Sequence, residues 1–149
     1  MELSPRLRAV ADWVPVGARL ADVGTDHGLL PVWLLKQGRI SAAVAADLRA
    51  GPLAAARRTA RRFGVSDRVS FRLCDGLRGI APEEADTVTI AGMGGETIVK
   101  ILAAAPWTRA GDTLLLLQPQ SAFPELRGWL AGHGYRISRE KIVREGFRL

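Results

Sequence analysis

The stretch Arg19-Leu20-Ala21-Asp22-Val23-Gly24-Thr25-Asp26-His27-Gly28 decides how this chain reads. Its first five residues make a short apolar strand, Gly24 turns it, and Leu29 to Lys36 continue as a helix that stops near Gly38. A strand, a glycine turn and a helix are the first half of a parallel strand-helix-strand unit. The alternation persists outward. Upstream, Leu3, Leu7, Val10, Ala11 and Val14 fall at helical spacing behind Ser4-Pro5, a cap and first-turn pair. Downstream, Ser41 to Ala46 is a buried strand ended by Asp47, and Gly51-Pro52 open a helix that runs to Phe63 and closes at Gly64. Val69 to Cys74 and Asp86 to Ala91 read as strands, with Pro82 to Ala85 as loop between them. A helix follows from Glu96 to Ala105. The most apolar strand, Asp112 to Gln118, is terminated by Pro119. Phe123 to Ala131 is helical, and Tyr135 to Glu145 alternates like a strand through Ile137 and Val143. Short apolar strands alternating with helices predict an α/β fold, a doubly wound Rossmann-like parallel sheet with helices on both faces.

Composition bounds the rest. The 149 residues are enough for one domain with one core, and 48% hydrophobic with 24% charged residues is an ordinary globular balance. The lone Cys74 excludes an internal disulfide framework and a cysteine-based zinc site. No His-Cys-carboxylate spacing indicates a metal, and no G-x-S-x-G elbow indicates a serine hydrolase. The first residues carry no apolar leader, and the longest purely aliphatic run is Leu114 to Leu117, so neither secretion nor a membrane span is expected and the cytoplasm is. The net charge of +6 comes from eighteen arginines and three lysines. It is compatible with a nucleic-acid partner and equally with a solvated arginine surface.

Chemistry gathers where the strands end. The first turn is not the dinucleotide fingerprint G-x-G-x-x-G, since Thr25 and Asp26 follow its first glycine, and this argues against an NAD oxidoreductase. Asp22 and Asp26 would repel a pyrophosphate but suit an ammonium group, which points to S-adenosylmethionine as the cofactor. A plainer reading is a glycine turn with Asp26 as helix cap. The candidate cofactor-binding residues are Asp22, Gly24, Thr25, Asp26, His27 and Gly28 at the first turn, then Asp47 and Leu48 after the second strand. Asp75 and Gly76 follow after the third, and Ala91, Gly92 and Met93 after the fourth. Asp47, 25 residues beyond Asp22, is placed to accept ribose hydroxyls, and Asp75 the adenine amino group. Gly94, Gln118 and Pro119 are candidates for holding a substrate base, and Arg6 and Arg8 for meeting phosphate, with Arg57, Arg58, Arg61 and Arg62 as a further basic cluster. Cys74 reads as a small buried apolar residue, and His133 as a helix-end residue.

These motifs resemble the bacterial TrmK family. The resemblance rests on Asp22-Val23-Gly24-Thr25-Asp26-His27, Asp75-Gly76-Leu77, Ile90-Ala91-Gly92-Met93-Gly94-Gly95 and Leu117-Gln118-Pro119, supported by Leu3-Ser4-Pro5-Arg6-Leu7, and it spans essentially the whole chain. It implies a class I methyltransferase that uses S-adenosylmethionine to methylate N1 of adenine 22 in the tRNA D-arm. Asp47 stands where relatives often carry Glu. Family members continue into a C-terminal helical domain that helps hold tRNA, so residues 1–149 are expected to be the catalytic domain alone, acting as a monomer without metal.

On this reading Asp26 and Met93 are the candidate catalytic residues. Asp26 would stabilise the cationic methylated base or take its N6 proton, and Met93 would line the base pocket. No Asn/Asp-Pro-Pro-aromatic run follows the fourth strand, which suits a ring nitrogen rather than an exocyclic amine. The alternatives are a methyltransferase of small molecules or proteins, and a nucleotide-binding domain without chemistry.

Overall fold

The computed structural model describes residues 1–145. Five strands, β1 (Arg19–Val23), β2 (Ala42–Asp47), β3 (Val69–Leu73), β4 (Thr87–Met93) and β5 (Leu114–Pro119), form one sheet in the order β3-β2-β1-β4-β5 with every pair parallel. Helices α1 (Pro5–Asp12), α2 (Leu29–Lys36), α3 (Ala50–Arg62), α4 (Gly95–Ala103) and α5 (Phe123–Gly132) cover it. The chain winds outward from β1 to β3, then returns to β4 on the other side of β1. Ligands bind at such a reversal, outside the carboxyl ends of the strands.

The period of two along each strand sorts the core into two layers. Ala21, Val23, Val44, Ala46, Val88 and Ile90 meet Ile98, Leu102, Leu126 and Leu130 of α4 and α5. Leu20, Ala43 and Leu116 meet Val10, Val14, Leu30, Leu34 and Ala60 beneath α1, α2 and α3. β2 is built almost wholly of alanine, a poor strand former in isolation, and forms because burial on both faces overrides propensity. Small residues let the layers close up. A Cβ added to Gly28, which turns at φ +70° before α2, would lie 2.9 Å from Cβ of Ala56 on α3.

Two expectations change. The residues read as loop at Pro82 to Ala85 contain a 3₁₀ turn, Pro82–Glu84, held by the Ala81 N–H and the Arg72 guanidinium on the Glu84 carboxylate. Residues 135–145 carry no strand. Ile137 and Val143 are the segment's only apolar residues apart from Tyr135 and the fully exposed Ile142, too few to bury a face against β5. Side chains anchor the segment instead: Glu140 on Arg127 of α5, Arg139 over Trp13, and Glu145 on Arg6 of α1. No described helix is long and apolar enough to cross a membrane.

Candidate functional site

The carboxyl ends of β1, β2 and β4 open into a cleft of about 1020 Å³. Asp22, next to last in β1, forms part of its floor and is buried. One carboxylate oxygen accepts the Thr89 hydroxyl from β4 at 2.7 Å, and the other accepts the Thr25 hydroxyl at 2.8 Å. Burial pushes its pKa up to about 6, against the pull of those two hydroxyls and with help from the negative charge of Asp47. Above it the chain passes through Gly24, where a Cβ would collide with the Met93 methyl, so the Met93 side chain lies directly over the turn.

Asp47 ends β2 with both oxygens engaged. Oδ2 accepts the Asp26 N–H and Oδ1 the Arg49 N–H, each at 3.0 Å. The first of these fixes a strained residue, since Asp26 has φ +55° without being glycine. Its side chain is exposed at the rim, 3.1 Å from Nδ1 of His27. Asp26 does not cap α2. Gly28 occupies that position and offers no side chain, so the first amides of α2 have no side-chain cap.

Of the residues singled out from sequence, the cleft brings together the first turn from Asp22 to His27, Asp47 with Leu48, and Asp75 with Gly76. It also gathers Ala91, Gly92, Met93 and Arg6. Gly28 lies behind, packed on Ala56. Gly94 backs onto Ser121, and Pro119 pairs with Met93 in the sheet. Gln118 does not line the cleft; its side-chain oxygen takes the Gly92 N–H and an Arg6 N–H. Arg8 points away from the cleft, bound to Asp12 at 2.9 Å and stacked on Trp33, because it sits two residues round the helix from Arg6. Arg57, Arg58, Arg61 and Arg62 are exposed on α3, outside the cleft. Cys74 is half-buried rather than buried, packing against the core while also lining the cleft wall. His133 ends α5 as read, stacked on Trp129. Among the described residues no three His, Cys, Asp or Glu side chains gather as a metal-ligand set.

The methyltransferase-domain family matches residues 3–149. The tRNA (adenine(22)-N(1))-methyltransferase of Bacillus subtilis is 39% identical over 145 residues, which are 97% of this chain and 61% of that protein. A Streptococcus pneumoniae structure, assigned as a tRNA (m1A22) methyltransferase and solved with S-adenosyl-L-methionine, superposes with a TM-score of 0.90 at 37% identity, covering 97% of this chain and 68% of that one. Mycoplasma capricolum TrmK, solved with S-adenosylhomocysteine, gives a TM-score of 0.86 at 30% identity over 99% of this chain and 65% of that one.

The chain belongs to the TrmK family. It spans about 61% of the length of the B. subtilis TrmK relative. The cleft also draws on residues that nothing in the motifs named. Thr89, a polar residue inside an apolar strand, had a detectable signal and proves to hold Asp22. Thr97 and Lys100 also line the cleft, but nothing in their spacing distinguishes them from surface residues; Gln120, whose place beside Gln118-Pro119 at a strand end did mark it, lines the cleft too.

Proposed function

We propose that residues 1–149 form the S-adenosylmethionine-binding catalytic domain of a cytoplasmic tRNA methyltransferase that modifies N1 of adenine 22 in the D-arm. One observation carries the reading. The cleft at the reversal of strand order has a buried acidic floor, with Asp22 held by two hydroxyls under a glycine turn and Asp47 one strand away. A buried carboxylate with a raised pKa favours a cationic ligand, whose charge restores the ionised form.

The donor set fits the cofactor. Asp22 and the turn at Gly24 suit its ammonium end. Asp47, with lone pairs left after two backbone hydrogen bonds, suits the ribose hydroxyls. Leu48, a large apolar side chain 65% exposed at the mouth, would cover the adenine, with Asp75 and Gly76 at its edge. When bound, the cofactor supplies an electrophilic methyl group on a sulfonium. The adenine N1 lone pair needs no base to attack it, so the chain's work is orientation. Met93 and Gly92 wall the side from which a base turned out of its stack would enter. Asp26, steadied by His27 and by the Asp47 hydrogen bond to its N–H, stands ready to offset the charge gained by the base or to accept its N6 proton. Arg6 is the phosphate-contacting residue at this end.

The test is to incubate the protein with unmodified tRNA and methyl-labelled S-adenosylmethionine, then map the product. Label is expected at adenine 22 as 1-methyladenosine, and label elsewhere or none refutes the assignment. Asp26→Ala should lower kcat by about 10²-fold with little change in tRNA retention on filters. Unchanged turnover would remove Asp26 from the chemistry.

A further inference from the structure

Across β1 from Asp47, the cleft ends at a flaw in the sheet. Ala91 pairs with Gln118 and Met93 with Pro119, so Gly92 is the extra residue of a bulge, with φ +80°. Its N–H has no place in the ladder and donates instead to Oε1 of Gln118 at 3.0 Å. The same oxygen accepts from Nη1 of Arg6 at 3.1 Å. The guanidinium lies so close to the bulge that a Cβ at residue 92 would stand 3.3 Å from Nη1.

Arg6 is itself held from behind. Glu145, 139 residues later, accepts the Arg6 backbone N–H on Oε1 at 3.0 Å, and its Oε2 lies 3.7 Å from Nε. Glu145 thus joins Ser4, whose side chain accepts the Leu7 N–H, in capping the first turn of α1. The Arg6 N–H and the Ser4 hydroxyl hold its carboxyl below the ordinary glutamate value, so it is charged at neutral pH. A long flexible arginine would otherwise sample many rotamers; the ion pair near Nε and the hydrogen bond from Nη1 hold it against the bulge. A glycine bulge is likewise loose unless its N–H is satisfied from outside.

We infer that Glu145 is a positioning residue: through Arg6 and Gln118 it fixes the Gly92 peptide, so the segment after Tyr135 sets the geometry of the substrate end of the cleft without touching a substrate. The inference rests on the methyltransferase reading above, and its test keeps the two separable.

The variants are Glu145→Ala, Glu145→Gln, Arg6→Ala and the double Glu145→Ala/Arg6→Ala. The readouts are kcat and KM with tRNA, cofactor affinity by calorimetry, and amide exchange of Gly92 by NMR on glycine-labelled protein. Glu145→Ala should lower kcat about tenfold with cofactor affinity held within about twofold. Glu145→Gln keeps an acceptor for the Arg6 N–H and should recover most of the loss. In the Arg6→Ala background the second substitution should cost no more than about twofold, since the route through Arg6 is already broken. Gly92 exchange should quicken in each alanine variant. Losses that multiply in the double variant, or Gly92 exchange that does not change, overturn the inference. If the wild-type protein methylates no tRNA, the methyltransferase reading falls and the Gly92 amide decides the positioning role alone.

Discussion

Replacing Asp22 with Asn should make the protein more stable and less able to bind its cofactor. The carboxyl is raised from 3.8 to about 6 by burial. At 1.36 kcal/mol per unit, ionised Asp22 costs the fold about 3 kcal/mol at high pH. Because the folded-state pKa lies above the unfolded one, the stability contributed by neutral Asp22 is fully present below the unfolded value, near 3.8, and is lost as pH rises through about 6. Asparagine stays neutral throughout. It accepts only one of the two hydroxyl hydrogen bonds from Thr25 and Thr89 and must donate in the other, which costs about 1 kcal/mol. The variant should therefore be more stable by about 2 kcal/mol at pH 8, and its advantage should widen by about 1.5 kcal/mol between pH 5 and pH 8. Urea unfolding of both proteins across that range, at constant ionic strength, measures the difference directly. Parallel stability curves would refute the reasoning, because they would mean that Asp22 titrates as a solvated group does.

Three other outcomes follow from the same geometry. Cofactor affinity should rise about tenfold between pH 5 and pH 7, as Asp22 becomes ionised to meet an ammonium group, and calorimetry in buffers of different ionisation enthalpy should show proton release. Gly28→Ala should destabilise the fold by about 2–3 kcal/mol in urea, since the new methyl meets Ala56 at 2.9 Å from a residue at φ +70°; a loss below about 0.5 kcal/mol would show that α2 and α3 part easily. Converting Arg57, Arg58, Arg61 and Arg62 to serine should weaken tRNA binding and flatten its dependence on log salt by about 0.7–0.9 for each phosphate that is no longer neutralised; an unchanged slope would make α3 a solvated face.

The order of elements and the location of the cleft were legible from residues, because strand endings are punctuated by glycine, proline and aspartate. Asp22, Asp47, Asp75 and Gly92 each stand at such an ending, and the sheet brings their loops to one edge. What sequence could not convey was direction within a helix turn. Arg6 and Arg8 look equivalent on paper, yet one enters the cleft and the other is fastened to Asp12 and Trp33. The final segment misled for the opposite reason: alternation through Ile137 and Val143 imitates a strand, while charged residues around them find partners on α1 and α5. Long-range pairings such as Arg6 with Glu145 leave no local trace at all.

Asp47 touches both the neighbouring loop and the backbone of Asp26, so it behaves as a joint with two leaves. Lengthening it by one methylene would move its oxygens relative to Asp26 and Arg49 together. Exchanging the acid at this position therefore disturbs the support of the bend at residue 26 in the same step. A defect produced at position 47 reports on the joint as well as on whatever rests against it.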